Sequence, residues 1–486
     1  MVDMALTVAL VLVGGVTGIY YRARVLRSPV LFLNGDEAVT GIAGDLIKLG
    51  HLPVVTPGNA YGGTTESFLF AASNWLPVDR FLLLKCCSVV LWLVAAVLVG
   101  WTAGLLAGRL AGFLAGSVVW VCGGAMIVLS SQAYLGYSSG LAYVAGCYLV
   151  AVRYIDASVG SRRFDVRLIL LGFLAGLAVW SHPMFICATA PLTLTVAVVG
   201  FRRSKMSPLL IGAGGLVALA PYFAWNAANG WPALETQPVP FPSTYLQRLR
   251  IFFTQLSPRG LGLRGFGGRW SWGTSGRVAY AVLILLAFIG VVNLVRSGRT
   301  SARMVAGGAI LIFPLMALFP SLVFFADGRY FINVLVAWAV LCAVGLESLV
   351  RRVPWSVALC VVAIPVSGFI FNSAFLDNII GTQWGDPEAP VRSVLAELDK
   401  RQVHAVFGSY WVTGRIALLS EERVASESLY PLERFPGLAA ESRAVSIRRR
   451  AAVFPIDDER ATLLPLPVVD YDRRVFGNIV VYFPKP

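Results

Sequence analysis

Apolar runs of about twenty residues recur through the first three-quarters of this chain, and no other sequence feature constrains its fold as strongly. A helix needs about 20 mostly apolar residues to cross the hydrocarbon core of a bilayer. Eleven segments are candidates: 4–21, 81–107, 111–131, 134–152, 168–182, 183–200, 207–225, 278–295, 304–325, 331–350 and 354–375. The fifth and sixth are short and are divided at Pro183. With 57% apolar and 14% charged residues, the 486-residue chain lies outside the range of soluble domains. Disorder is excluded too, because it needs low hydrophobicity. The sequence predicts an α-helical polytopic membrane protein, residues 1–376, followed by a small α/β domain, residues 377–486.

Charge supports that division. The net charge is +14, yet residues 377–486 hold 14 basic and 15 acidic residues, so the whole excess belongs to residues 1–376. Its placement argues against a nucleic-acid footprint. Cytoplasmic loops collect Lys and Arg. With the N-terminus inside, the inner loops carry thirteen: Arg109; Arg153, Arg162, Arg163 and Arg167; Arg202, Arg203 and Lys205; Arg296, Arg299 and Arg303; Arg351 and Arg352. The short outer connections near 132, 182 and 328 carry only Arg329. That alternation predicts a multi-pass protein of the cell membrane, N-terminus cytoplasmic, with 22–80, 226–277 and the C-terminal domain extracytoplasmic. Arg22, Arg24 and Arg27 run against the rule, being basic on the predicted outer side. The first span lacks a basic leader region and reads as an uncleaved anchor. All seven cysteines fall in predicted spans, which disfavours a disulfide framework. Thirty-five arginines against five lysines, with abundant Ala, Gly and Val, suggest a GC-rich bacterial genome.

The spans hold almost no charge. Lys85 lies near one end of the second and Glu347 near one end of the tenth, with no Asp or Glu at mid-depth. That argues against an ion-coupled transporter, whose sites lie near the midplane. Polar chemistry concentrates in the first outer loop. There Asn34-Gly35-Asp36-Glu37-Ala38 opens a segment with apolar residues at 39, 42, 43, 46 and 49, closed by Gly50 and Pro53. The spacing predicts an amphipathic helix lying on the membrane surface. Asp36 at its start is either a helix cap or a reactive carboxylate. Next comes Pro57-Gly58-Asn59-Ala60-Tyr61-Gly62-Gly63-Thr64-Thr65-Glu66, a glycine loop without the Lys-Ser/Thr of a P-loop. Glu66 is an N-terminal helix charge or a ligand contact.

An Asp-Glu-Ala in the first outer loop after one span resembles the GT-C glycosyltransferases, of the protein O-mannosyltransferase and lipid A aminoarabinose transferase type (family 39-like). The glycine loop is similar to a pattern of many bacterial members, Gly-Gln-x-Tyr-Gly-Gly-Thr-Leu-Glu-Ala, with Asn59 in place of Gln and Thr65 in place of Leu. Trp180-Ser181-His182-Pro183, Pro221-Tyr222 through Asn226, Asp327-Gly328-Arg329-Tyr330 and Tyr410-Trp411 extend the likeness along nearly the whole chain. The resemblance implies transfer, with inversion, of a hexose or pentose from a polyprenyl-phosphate-linked donor to a hydroxyl on a cell-envelope glycan, lipid or protein. Its partners would be that lipid-linked sugar and the bilayer, with no cofactor; the charge placement argues against nucleic acid, and the three histidines, 51, 182 and 404, are too far apart in sequence to suggest a metal site.

A phosphate leaves without a general acid, whereas the acceptor hydroxyl needs a carboxylate base within hydrogen-bond reach. The resemblance gives that role to Asp36. Glu37, Tyr61 and Glu66 are candidates for holding sugar or acceptor hydroxyls. Arg329, with Tyr330, is a candidate for the phosphate, because an arginine fork binds its oxygens in pairs; an ion pair with Asp327 is the other reading. His182 is a second phosphate candidate or a structural residue at a helix end. The long 226–277 segment reads as a loop able to cover the donor. Two other functions stay open: a flippase or transporter of a lipid-linked sugar, and a non-catalytic assembly protein.

In the C-terminal domain the pattern predicts a helix at 388–401, a strand at 404–407, a helix at 410–419, an extended run at 423–426, and strands at 451–456, 468–473 and 478–483.

Overall fold

A computed structural model of the chain describes residues 2–31, 33–157, 165–234, 243–265, 267–324, 328–352, 372–430, 433–458 and 471–485. It forms two compact units. The first comprises Met1–Val25, Ser88–Ser131 and Gly136–Gly381; the second comprises Leu26–Cys87, Gln132–Leu135 and Thr382–Pro486. Contact thus groups residues 26–87 with the C-terminal region that charge had set apart at 376.

The first unit is a bundle of membrane helices. Among the described residues, seven helices are long and apolar enough to span a bilayer, and a bent pair brings the number to eight. The bent pair is Arg109–Val121 and Gly124–Ser130, turned by 73° where one straight span, 111–131, is expected. The predicted fifth and sixth spans are two helices, Val166–Ser181 and Ile186–Arg203, parted by a one-turn 3₁₀ segment at Pro183–Phe185. Of the eleventh, only 372–375 lie among the described residues, where 372–380 are helical. The 226–277 segment is not a plain loop: Tyr245–Ile251, a π-turn at Phe252–Leu256 and Ser257–Gly260 are helical.

Lipid tails are as apolar as leucine, so membrane helices associate through close backbone approach at small residues. Here a Cβ at Gly172 would strike the carbonyl of Ile211, and one at Gly214 would strike that of Ile169. Gly290 and Gly345 seat Thr274–Arg296 against Ile332–Arg352 in the same way. Two of the three arginines that break the charge rule, Arg22 and Arg24, have internal work. Arg22 donates to the carbonyls of Gly18 (3.0 Å) and Trp120 (2.8 Å), its guanidinium 3.8 Å from the Trp120 ring centre. Arg24 pairs with Asp377 at 2.7 Å and donates to the Gly381 carbonyl.

The second unit carries a five-stranded sheet: β1 (Ala405–Ser409), β2 (Ala425–Tyr430), β3 (Ala451–Pro455), β4 (Tyr471–Phe476) and β5 (Ile479–Pro484), in the order β2-β1-β3-β5-β4. β1 runs parallel to β2 and β3, while β5 is antiparallel to β3 and β4. Helix Ala389–Lys400 buries Val391, Val394 and Leu398 with Val406, Val453 and Val481 of the sheet. The helix Pro436–Ala444 is absent from the sequence reading.

The Asp36 helix, Gly35–Lys48, was expected to lie on a membrane surface. Instead most of its length is buried inside this unit, with Gly41 against Leu418 of helix Tyr410–Leu419 and Gly44 against Phe70 of helix Thr65–Ser73. Its apolar stripe serves a protein core containing Leu33, Ile42, Phe70, Phe81 and Leu418. Its end is a Schellman closure: Gly50, at φ +87°, donates to the Ile47 carbonyl and His51 donates to that of Leu46, each at 3.0 Å.

Candidate active site

Three consecutive positions at the start of helix Gly35–Lys48 divide the labour. Asn34 is the cap: its side-chain oxygen accepts from the Glu37 N–H at 3.0 Å, and its own N–H donates to Glu37 at 3.2 Å. This reciprocal box satisfies two end groups and releases Asp36 from capping. Glu37 is wholly buried. Its other contacts are the Lys85 ammonium, 3.1 and 3.3 Å from its two oxygens, and the Ala133 N–H at 3.0 Å. Four contacts and no exposed surface make Glu37 the anchor of the first turn. It is not presented to a ligand, because both its oxygens are engaged.

Asp36 is different. One oxygen, Oδ1, accepts from the Tyr410 hydroxyl at 2.9 Å and from Arg434 Nη2 at 3.3 Å. Among the described residues Oδ2 has no hydrogen-bond partner, and the side chain is 22% exposed. Both donors are enclosed: Tyr410 is 2% exposed, and the Arg434 side chain 7%. The guanidinium lies 5.4 Å from the Tyr410 ring centre. Glycine at 35 is required, since a Cβ there would come 2.5 Å from the Tyr410 ring. Burial first, and then the charge of Asp36, push the Tyr410 hydroxyl far above the usual tyrosine range, so it stays a donor. The carboxylate is therefore held by one oxygen with the other presented, which suits a base that must be oriented before it takes a proton.

The glycine loop lies against this clamp. The Thr56 N–H donates to the Gly62 carbonyl at 2.8 Å and the Asn59 N–H to that of Thr56 at 3.1 Å. Gly58, at φ +68°, approaches so closely that a Cβ would sit 2.7 Å from Arg434 Cα. Tyr61 on this loop is 38% exposed, while Glu66, in the first turn of the next helix, is buried.

Under the same helix lies a second buried pair. Arg415 Nη2 donates to Glu388 at 3.1 Å, and Glu388 also accepts from the Leu33 N–H at 2.6 Å. Burial outweighs the pairing in both: it raises the Glu388 carboxyl and lowers the Arg415 guanidinium.

The remaining predicted residues belong to the first unit and gather there. His182 ends helix Val166–Ser181, and its Nδ1 accepts from the Met184 N–H at 3.3 Å. Its ring stacks on Tyr137 with centres 5.1 Å apart, and the charge of Arg329 acts on it. Arg329 and Tyr330 form a 3₁₀ turn entered through Gly328 at φ +81°, with Tyr330 buried. Asp327, the ion-pair alternative for Arg329, lies outside the described residues. The unit also holds a partly open apolar cavity of about 380 Å³ lined by residues such as Leu114, Val118, Leu283, Leu335 and Trp338. Among the described residues, no group of three His, Cys, Asp or Glu is arranged to hold a metal ion.

Sequence reasoning missed Arg434 altogether and saw Tyr410 only as part of a likeness. They stand 398 and 374 residues from Asp36, so no local pattern signals the contact.

No protein-family model and no curated protein matches the chain. Its fold, however, is shared with solved structures. ArnT from Cupriavidus metallidurans in the apo state aligns with a TM-score of 0.67 at 13% identity, covering 99% of this chain and 98% of that one. ArnT bound to undecaprenyl phosphate aligns at 0.63, also at 13% identity, with 97% of each chain covered. The archaeal oligosaccharyltransferase AglB from Archaeoglobus fulgidus, in complex with an inhibitory peptide and a dolichol-phosphate, aligns at 0.51 and 12% identity, covering 98% of this chain and 74% of that one.

Proposed function

We propose that the protein is a membrane glycosyltransferase that moves a hexose or pentose from a polyprenyl-phosphate-linked donor to a hydroxyl of a cell-envelope acceptor, with inversion and with Asp36 as general base. The observation that carries this reading is the single-oxygen clamp on Asp36: Tyr410 and Arg434 take Oδ1, and Oδ2 is left to accept the hydroxyl proton. Solved proteins of this fold bound to undecaprenyl phosphate and dolichol-phosphate support a lipid-phosphate substrate. An apolar cavity of about 380 Å³ supports accommodation of part of a prenyl chain. His182 and Arg329 are the candidates for contacting the leaving phosphate, with Arg329 supplying the cationic stabilisation that its charge needs. Tyr61 and Glu66 remain candidates for hydroxyl contacts. The charge alternation along the spans supports a C-terminal domain on the extracytoplasmic side of the cell membrane. The reaction requires neither cofactor nor metal, so chelation should leave its rate unchanged.

The test is reconstitution with labelled polyprenyl-phospho-sugars and bacterial membrane acceptors. Wild type should transfer label, and Asp36→Asn should lower kcat by about 10²–10⁴-fold. Transfer that survives Asp36→Asn removes the base. Translocation of the donor without transfer replaces the enzyme with a flippase.

A further inference from the structure

Arg434 holds more donors than Asp36 uses. Its Nη2 reaches Asp36 Oδ1, while Nε and Nη1 are buried with no hydrogen-bond partner among the described residues. The neighbouring Glu433 does not take these donors: it accepts from the Ser428 N–H at 2.9 Å and the Phe435 N–H at 2.7 Å. One residue beyond the Gly58 contact, Asn59 Nδ2 is likewise buried without a partner among the described residues.

The geometry of a guanidinium makes the surplus specific. Nη2 carries two hydrogens, one facing the edge shared with Nε and one facing the edge shared with Nη1. Whichever of them Asp36 accepts, the other edge keeps both of its donors. A complete fork edge is matched to two oxygens of an oxyanion, and a desolvated fork binds one more strongly than a solvated one. The amide of Asn59, on the loop whose Gly58 packs against the Arg434 backbone and stem, is a further buried donor beside this residue.

Position says which substrate brings that phosphate. In an inverting displacement the attacking and leaving oxygens lie on opposite sides of the sugar carbon. The base touches the attacking oxygen. Arg434 is bonded to the base itself, so an anion on its remaining edge belongs beside the acceptor hydroxyl and away from the leaving group. We infer that Arg434 and Asn59 form a phosphate site for the acceptor, which bears a phosphate group adjacent to its reacting hydroxyl. This inference rests on Asp36 being the base.

The experiment uses the full chain in phosphatidylcholine nanodiscs, with glucose 6-phosphate, glucose and undecaprenyl phosphate as probes. Wild type should bind glucose 6-phosphate more tightly than glucose. Arg434→Gln should weaken glucose 6-phosphate by about tenfold or more and leave undecaprenyl phosphate within about twofold. Asn59→Ala, a milder change should Arg434→Gln fail to fold, should weaken glucose 6-phosphate by about threefold. Wild-type indifference to the phosphate, or unchanged affinity in both variants, overturns the site and leaves Arg434 a positioning residue for Asp36. A loss confined to undecaprenyl phosphate overturns the acceptor assignment. Failure of wild type to transfer sugar is read in the separate transfer assay and strikes at the glycosyltransferase reading.

Discussion

Lys85→Met tests whether the first turn of the Asp36 helix is held as described. Lys85 and Glu37 are both fully buried and pair at 3.1 Å. Removing the ammonium strands a carboxylate that cannot reach water. Its remaining donors, the Ala133 and Asn34 amides, offset only part of that loss. Breaking a buried pair from one side costs about 3–5 kcal/mol. For a unit of this size each kcal/mol is worth about 2–4 °C, so the unfolding midpoint should fall by about 6–20 °C. Glu37→Gln alone should cost a similar amount, because it leaves the ammonium buried and unpaired. The double variant should be far better than the sum. Glutamine still accepts from the Ala133 N–H, methionine fills the lysine stem's place, and no buried charge remains. A coupling of at least about 2 kcal/mol is expected from the cycle. The assay is thermal unfolding of the four purified proteins in one detergent. Single variants within about 1 kcal/mol of wild type, or strictly additive losses, would refute the account of Glu37 as an anchor.

Three further outcomes follow from the same unit. Tyr410 has its acid strength weakened on folding, so its hydroxyl contributes stability that is full below about pH 10 and lost as pH rises beyond it; Tyr410→Phe should flatten the alkaline limb of the stability curve by up to about 1.4 kcal/mol per pH unit, and superimposable limbs would count against the buried donor. Gly58→Ala places a Cβ against Arg434 backbone at a positive φ, so it should cost about 1–3 kcal/mol and reduce transfer together with stability, read by melting and initial rates. Arg415→Met strands Glu388, costing about 3–5 kcal/mol near neutral pH; because burial already raises the Glu388 carboxyl, the penalty should shrink as pH falls and that group takes up a proton, and a pH-independent loss would argue that the pair carries no charge.

How much was legible in the sequence depended on whether the signal was local. Hydropathy located the membrane helices because the bilayer imposes a length and a composition on each segment separately. It did not report the bend at 121–124, since a 73° turn between two apolar helices leaves the apolar run unbroken. The helix Tyr410–Leu419 and the strands near 405, 451 and 479 follow from periods of 3.6 and 2, which are properties of short windows. Strand order is not local, and nothing in the sequence announced β2-β1-β3-β5-β4.

The Asp36 segment shows where the boundary falls. Its sequence determined a helix with acids in the first turn and an apolar stripe, but a stripe does not name what covers it. Tertiary structure covers it with Leu418 and Phe70, and so turned an expected membrane-surface helix into part of a core. The same holds for the two adjacent acids. They are equivalent in sequence, yet the helix aims them about 100° apart. One meets Lys85 and Ala133 in the interior; the other meets Tyr410 and Arg434 with one oxygen left over. Residue type set what chemistry a carboxylate at this loop performs. Only the fold, by bringing together groups nearly four hundred positions apart, decided which carboxylate is buried with both oxygens engaged and which is held by one oxygen with the other presented.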